Sequence, residues 1–271
     1  MTSGALNNTA DEIALRFVAA RREQRALTEF PGKLPESLEA AYKVQDAAIK
    51  LWSDQIGGWK VGLIGGQFKI QHGNNRLVGP IFKSLIRTSA SNVMNSIPVF
   101  VDGFGAIEAE FVFKIGKDAP ADKFEWTNEE AASVVESLHA GVEIASSPLP
   151  TINDLGPTSV ISDFGNNNGL IVGAPISNWQ QRLGPSLTCS TEIDGKQVGT
   201  GTAASIPEGP LASLVFALCV GASRGFPLRA GQYVCTGAAT GVHVIHQHQL
   251  ALIKFDGIDE FKCEAVAVGT K

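Results

Sequence analysis

Apolar side chains recur three and four positions apart over the first fifty residues of this chain, and mostly two apart in the segments after that. The first spacing belongs to amphipathic helices and the second to strands. Thr9 and Glu12 form a capping-box signature ahead of Ile13, Leu15, Phe17 and Val18, which predicts a first helix ending before Pro31, Gly32 and Pro35. Leu38, Ala41, Tyr42, Gln45, Ala48, Ile49 and Trp52 share one stripe of a second helix that opens at Ser37 and stops before Gly57 and Gly58. From Trp59 the period shortens. Residues 60–64 and 106–115 read as strands, Thr127 and Glu130 open a third helix running to about His139, and Glu143 falls in the strand after it. Residues 159–163 and 169–172 read as strands flanking a loop of Gly165, Asn166, Asn167 and Asn168. Asp194-Gly195 marks a tight hairpin, residues 210–222 an apolar helix with Pro near its start and Gly225 past its end, and 249–255 pairs with 261–268 across Asp256-Gly257. The order predicts an α+β protein, with a small helical part over residues 1–58 and a mixed β domain over 59–271.

Within those strands three carboxylates are out of place. Glu108 and Glu110 alternate with Ile107, Ala109, Phe111 and Phe113, so they share one strand face about 7 Å apart while the apolar residues take the other. Glu143 sits in an equally apolar segment. Like charges in that setting call for a counter-ion, and a hard divalent cation such as Mg²⁺ takes oxygen ligands while leaving positions open for a substrate. A solvated strand face explains alternating charge equally well, so the residues alone leave both readings open. Lys60, between glycines and apolar groups, reads either as a surface lysine or as a desolvated acid–base group with a lowered pKa.

Composition narrows the class. The chain has 271 residues, is 44% hydrophobic and carries a formal charge of −5, which argues for a globular protein with a full core and against a nucleic-acid or anionic-membrane surface. The first eight residues lack a basic stretch followed by an apolar run, and no run is long enough to span a bilayer, so a cytoplasmic protein is expected. Cys189, Cys219, Cys235 and Cys263 are too far apart for a zinc or disulfide framework and read as core thiols. His246 and His248 fall on one face of a supposed strand, but with His243 they match no zinc spacing.

In this order, Trp59-Lys60-Val61-Gly62-Leu63, Glu108-Ala109-Glu110, Glu143, Ser162-Asp163 and Thr236-Gly237 resemble the 2-keto-4-pentenoate hydratase and 4-oxalocrotonate decarboxylase branch of the fumarylacetoacetate hydrolase superfamily. The similarity runs nearly end to end and includes the helix at residues 37–45. It implies a mixed β-sandwich or β-roll core, a Mg²⁺ or Mn²⁺ ion held by Glu108, Glu110 and Glu143, and Lys60 as the active-site lysine. By the same resemblance Asp163 orients active-site groups, while Thr236 and Gly237, placed after a strand at 232–235, could offer a hydroxyl and an N–H to a substrate carboxylate. The implied activity is hydration of a 2-hydroxy-2,4-dienoate to a 4-hydroxy-2-oxo acid. Alternatives are a 2-oxo-3-enoate decarboxylase, an acylpyruvate hydrolase and a non-catalytic partner in a complex with a related enzyme. The resemblance also implies a homo-oligomer. One departure stands out: where the family carries Asp, an aromatic and Gly in a loop after the first strand, this chain has Leu77-Val78-Gly79, with Arg76 and His72 close by as loop residues.

Overall fold

A computed structural model describes residues 9–89 and 93–269. The capping box is formed: Thr9 accepts from the Glu12 N–H and Glu12 from the Thr9 N–H, opening α1 (Ala10–Glu23). Ser37 caps α2 (Leu38–Leu51). There follow β1 (Ile56–Leu63), α3 (Gly66–His72), β2 (Arg76–Phe82), β3 (Ile86–Thr88), β4 (Met94–Val99) and β5 (Phe104–Ile115). Then come α4 (Asn128–Ser133), β6 (Val135–Ser147), α5 (Pro157–Ser162), β7 (Asn167–Pro175), α6 (Trp179–Arg182), β8 (Thr188–Ile193) and β9 (Lys196–Thr202). The chain closes with α7 (Pro210–Ser223), β10 (Tyr233–Ala238), β11 (His243–Val244), β12 (Leu250–Phe255) and β13 (Asp259–Ala267).

Two mixed sheets result. The larger runs β2-β1-β10-β5-β6-β7-β3, with β11 also paired to β5, and the smaller runs β4-β13-β12-β8-β9. The alternation along β5 decides how they pack. Ile107, Ala109, Phe111 and Phe113 join the main core, where the Phe111 and Phe255 rings meet edge to face at 5.4 Å. Glu108 and Glu110 therefore point to the opposite face of the larger sheet. A second core lies beneath the N-terminal helices, where Phe17, Val18, Ala41 and Val44 meet Leu77, Phe82 and Phe164. No helix among the described residues is long and apolar enough to cross a membrane, and residues 1–8, on which the leader reading rests, lie outside them.

Several local expectations are corrected. Residues 157–162 are helical, not a strand, because Pro157 stands at the first helical position. All six residues of α5 are buried, so no polar face betrays the helical period. The helix after Thr127 stops at Ser133, where the β-branched pair Val134-Val135 gives way to β6, placing His139 in a strand. Leu77-Val78-Gly79 belongs to β2, antiparallel to β1, and is no loop. Thr236 and Gly237 lie inside β10, not after it. His246 and His248 lie outside any strand and are exposed, which disposes of the shared-face geometry. Three of the four thiols are buried and all four are free, as expected of core cysteines.

Candidate active site

Strand register assembles the three carboxylates. Glu108 stands directly across from Glu143 on the β5–β6 pair, and Glu110 across from Gly141. Oxygen atoms of Glu108, Glu110 and Glu143 lie within 4.8 Å of one another, the one such acidic group among the described residues. Glu110 and Glu143 are fully buried and Glu108 is 5% exposed. The solvated-face reading therefore fails. Parallel pairing of β1 with β10 brings Lys60 opposite Cys235, and its Nζ reaches Glu143 Oε1 at 3.2 Å.

The electrostatics are severe. If all are ionised, three carboxylates and one ammonium leave a charge of −2 in a buried space. Burial alone would lower the Lys60 pKa, but attraction from Glu143, Glu108 and Glu110 outweighs it and raises the pKa above the ordinary lysine range. Without a metal, desolvation does not give the lowered value expected from the sequence, because the carboxylates are closer and more numerous than the spacing of one lysine can reveal. Glu108 is pushed up to about 7 by burial and by Glu143, against the pull of Lys60. Glu110 is pushed well above the carboxylate range by burial, Glu143 and Glu108, with the Gly237 N–H and Lys60 opposing. Glu110 Oε1 and Glu143 Oε2 are buried and accept no hydrogen bond among the described residues. Bare buried carboxylate oxygens are costly, and a divalent cation would both pair with them and cancel the charge. The residues fit such an ion.

A stability test follows from the raised pKa of Glu108. A carboxyl that holds its proton more tightly folded than unfolded stabilises the fold in acid and loses that contribution as pH climbs from about 4.5 to about 7. Lys60, raised above its unfolded value, contributes uniformly below about 10. Metal-free protein should therefore lose on the order of 1–3 kcal/mol between pH 5 and pH 8, while protein saturated with Mg²⁺ should not. Thermal melts in EDTA and in Mg²⁺ at both pH values measure this; equal slopes in the two media would refute it.

Beside the carboxylates opens a cavity of about 480 Å³ whose walls include Lys60, Glu108, Leu77, Asn166, Thr236 and Gly237. Two expected donors are already committed there: the Thr236 hydroxyl donates to the Phe111 carbonyl at 2.7 Å and the Gly237 N–H to Glu110 Oε2 at 2.6 Å. Both residues face the cavity, yet Gly237 holds a carboxylate of the protein itself. Asp163 is not on the cavity wall. It forms a buried ion pair with Arg21 at 2.5 Å and accepts from the Ser147 hydroxyl. Arg76 is no solvated loop residue: it is 5% exposed, lines the cavity, and donates to the Pro207 carbonyl and Glu208. His72 is half-buried on α3.

The asparagine run, read from sequence as turn residues, turns out to be part of the site. Lys60 Nζ donates to Asn166 Oδ1 at 3.3 Å, Asn166 Nδ2 to Asn153 Oδ1 at 3.2 Å, and Asn167 Nδ2 to Glu143 Oε1 at 3.0 Å. The asparagine run itself was the available signal, since Asn tolerates the positive φ that Asn166 adopts, but turn propensity cannot say what the side chain meets.

No protein-family model matches the chain. A 4-oxalocrotonate decarboxylase of Pseudomonas sp is 31% identical over 139 residues, a match spanning 49% of this chain and 50% of that protein. A 2-keto-4-pentenoate hydratase of Paraburkholderia xenovorans (strain LB400) is 26% identical over 234 residues, 84% of each chain. A solved 4-oxalocrotonate decarboxylase from Pseudomonas putida G7, complexed with magnesium and adipate, superposes with a TM-score of 0.80 over 95% of this chain and 97% of that one, at 18% identity. The fold is shared, at a TM-score of 0.53 and 15% identity over 79% of this chain, with a putative fumarylacetoacetate hydrolase family protein from Yersinia pestis CO92. The chain's relatives are named as hydratases and a decarboxylase, the kinds of enzyme that its motifs resemble.

Proposed function

We propose that this chain is a divalent-metal-dependent lyase acting on a 2-hydroxy-2,4-dienoate or its 2-oxo tautomer, and that it hydrates this substrate to a 4-hydroxy-2-oxo acid. The observation that carries the proposal is the buried Glu108–Glu110–Glu143 cluster with two unpartnered oxygens and Lys60 at 3.2 Å. Glu108, Glu110 and Glu143 would hold Mg²⁺ or Mn²⁺, which when bound supplies Lewis acidity to the oxygens of the substrate's 2-oxo-acid end. Lys60 Nζ stands on the cavity wall as the proton shuttle, delivering a proton to C5 of the dienol and taking back the one that the O2 hydroxyl gives up, which yields the conjugated 2-oxo-3-enoate. Water then adds across that double bond, its hydroxyl at C4 and a proton at C3. Asn166 fixes the lysine's direction by accepting one of its N–H bonds. A cavity of about 480 Å³ suits a five- or six-carbon acid.

Leu77 favours a second reading. Its Cδ1 would stand 3.2 Å from a Cβ placed on Gly62, and Lys60 Nζ 3.7 Å from that same point, so an apolar side chain lies beside the lysine in the family's Asp position. Among the described residues, Glu108, itself a proposed metal ligand, is the one carboxyl on the cavity wall, which leaves no separate acid there to handle the proton of water. In decarboxylation, the C5–C6 bond of a 2-oxohex-3-enedioate breaks, carbon dioxide leaves, and the electron pair enters the dienolate that takes its proton on O2. An apolar wall near the departing carboxylate favours loss of its charge. An acylpyruvate hydrolase and a non-catalytic subunit rank below both. We read the protein as a cytoplasmic homo-oligomer, able to associate with a related hydratase or decarboxylase; sedimentation of the purified chain tests this.

Mass analysis of products after incubation with Mg²⁺ and either 2-hydroxypenta-2,4-dienoate or 4-oxalocrotonate separates the readings. Water gained by the first substrate supports hydration, and carbon dioxide lost from the second supports decarboxylation. Turnover of neither removes the lyase reading.

A further inference from the structure

Arg21 lies on α1, is not on the wall of the cavity beside the carboxylates and is 7% exposed. Its guanidinium nevertheless makes an unusual set of bonds. Nε donates to Asp163 Oδ1 at 2.5 Å, while Nη2 reaches Asp163 Oδ2 at 2.9 Å, the Asp163 carbonyl at 3.3 Å and the Ser146 carbonyl at 3.1 Å. Nη1 donates to the Asn167 carbonyl at 3.1 Å and to Asn168 Oδ1 at 3.3 Å. One planar fork thus brackets the segment from Asp163 to Asn168 at both ends.

What it brackets is unfavourable on its own. Phe164, Gly165 and Asn166 have φ of 53°, 67° and 55°, three successive residues in left-handed backbone, two of them not glycine. Such backbone persists only where its surroundings over-determine it. The segment is also pressed against the site: a Cβ at Gly165 would lie 3.1 Å from Lys60 Cδ, and one at Gly79 would lie 2.7 Å from Gly165 Cα. From this turn Asn166 accepts from Lys60 and Asn167 donates to Glu143. Ser146, held by the same guanidinium, is three residues along β6 from Glu143.

We infer that Arg21 is a positioning residue for the metal centre: it clamps the left-handed turn so that Asn167 fixes Glu143 and Asn166 fixes Lys60, making α1 part of the active-site scaffold. The inference rests on Glu143 serving as a metal ligand. Arg21→Lys keeps a positive charge opposite Asp163 but cannot span both ends of the turn. Full-length wild type, Arg21→Lys, Asn167→Ala and the double variant would be titrated with Mn²⁺ by calorimetry, with melting temperatures recorded on the same samples. Arg21→Lys and Asn167→Ala should each weaken Mn²⁺ binding about tenfold or more, and the double variant should be no weaker than the poorer single one, because Arg21 acts through Asn167. Asn168→Ala removes one far-end acceptor without touching the Arg21–Asp163 pair, and should weaken binding about threefold; it decides the matter if Arg21→Lys does not fold. A lower melting temperature with Mn²⁺ affinity unchanged in both Arg21→Lys and Asn168→Ala would reduce Arg21 to a structural residue and overturn the inference. Wild type that binds no Mn²⁺ would instead overturn the metal reading beneath it.

Discussion

Glu110→Gln should give a protein that is more stable without metal than the wild type and that gains nothing when Mg²⁺ is added. Glu110 is fully buried, one of its oxygens has no partner among the described residues, and its carboxyl is pushed well above the usual range by burial and by Glu143 and Glu108. Glutamine keeps the shape and the acceptor for the Gly237 N–H while removing one buried charge from a cluster that repels itself. Each kcal/mol so recovered should raise the melting temperature by about 2–4 °C. A cation would then find two anionic ligands instead of three, so stabilisation by Mg²⁺, which follows ligand occupancy, should disappear. Turnover should fall by about three orders of magnitude, the consequence of losing several kcal/mol of Lewis-acid stabilisation. The signature is the opposite movement of the two quantities. A variant whose melting temperature still climbs with Mg²⁺ as the wild type's does would show that Glu110 is no ligand.

That prediction could be framed from the sequence because alternation on a strand is a strong geometric constraint. Glu108 and Glu110 had to share a face once residues 106–115 formed a strand, and the apolar residues between them had to face the core. The capping boxes at Thr9 and Thr127 and the Asp194-Gly195 hairpin were equally legible, since their chemistry is confined to a few consecutive residues. Glu143 stood out as a third carboxylate in an apolar segment, but bringing it beside the other two needed the register of β6 against β5, which sequence alone does not set. The role of Asn167 and the Arg21–Asp163 pair were hidden for a different reason: Arg21 and Asp163 are 142 residues apart, and each reads locally as an ordinary helix-end charge or turn residue. Helix α5 was hidden because burial on all sides removes the amphipathic period on which reading depends. Local chemistry was thus readable and long-range pairing was not, and the site is built from both.

Lys60→Met should separate proton handling from metal binding. Lys60 Nζ occupies Glu143 Oε1 at 3.2 Å and is drawn there by all three glutamates, so in the metal-free protein the lysine is the cation of the site. Any divalent ion that enters must compete with it for the same carboxylate and endure its positive charge nearby. Methionine fills a similar volume without charge, so Mn²⁺ affinity should be retained or rise. Turnover should nevertheless fall about 10²- to 10⁴-fold, the usual contribution of a positioned acid–base group, with the loss in kcat rather than KM because the group acts in the transition state. The effect on stability without metal should be adverse, since three buried carboxylates lose their one counter-charge, and Mg²⁺ should restore it. Calorimetric titration beside steady-state kinetics gives both numbers on one preparation. Loss of metal affinity together with activity would mean that Lys60 serves to build the carboxylate cluster, and the proton would have to come from another group on the cavity wall.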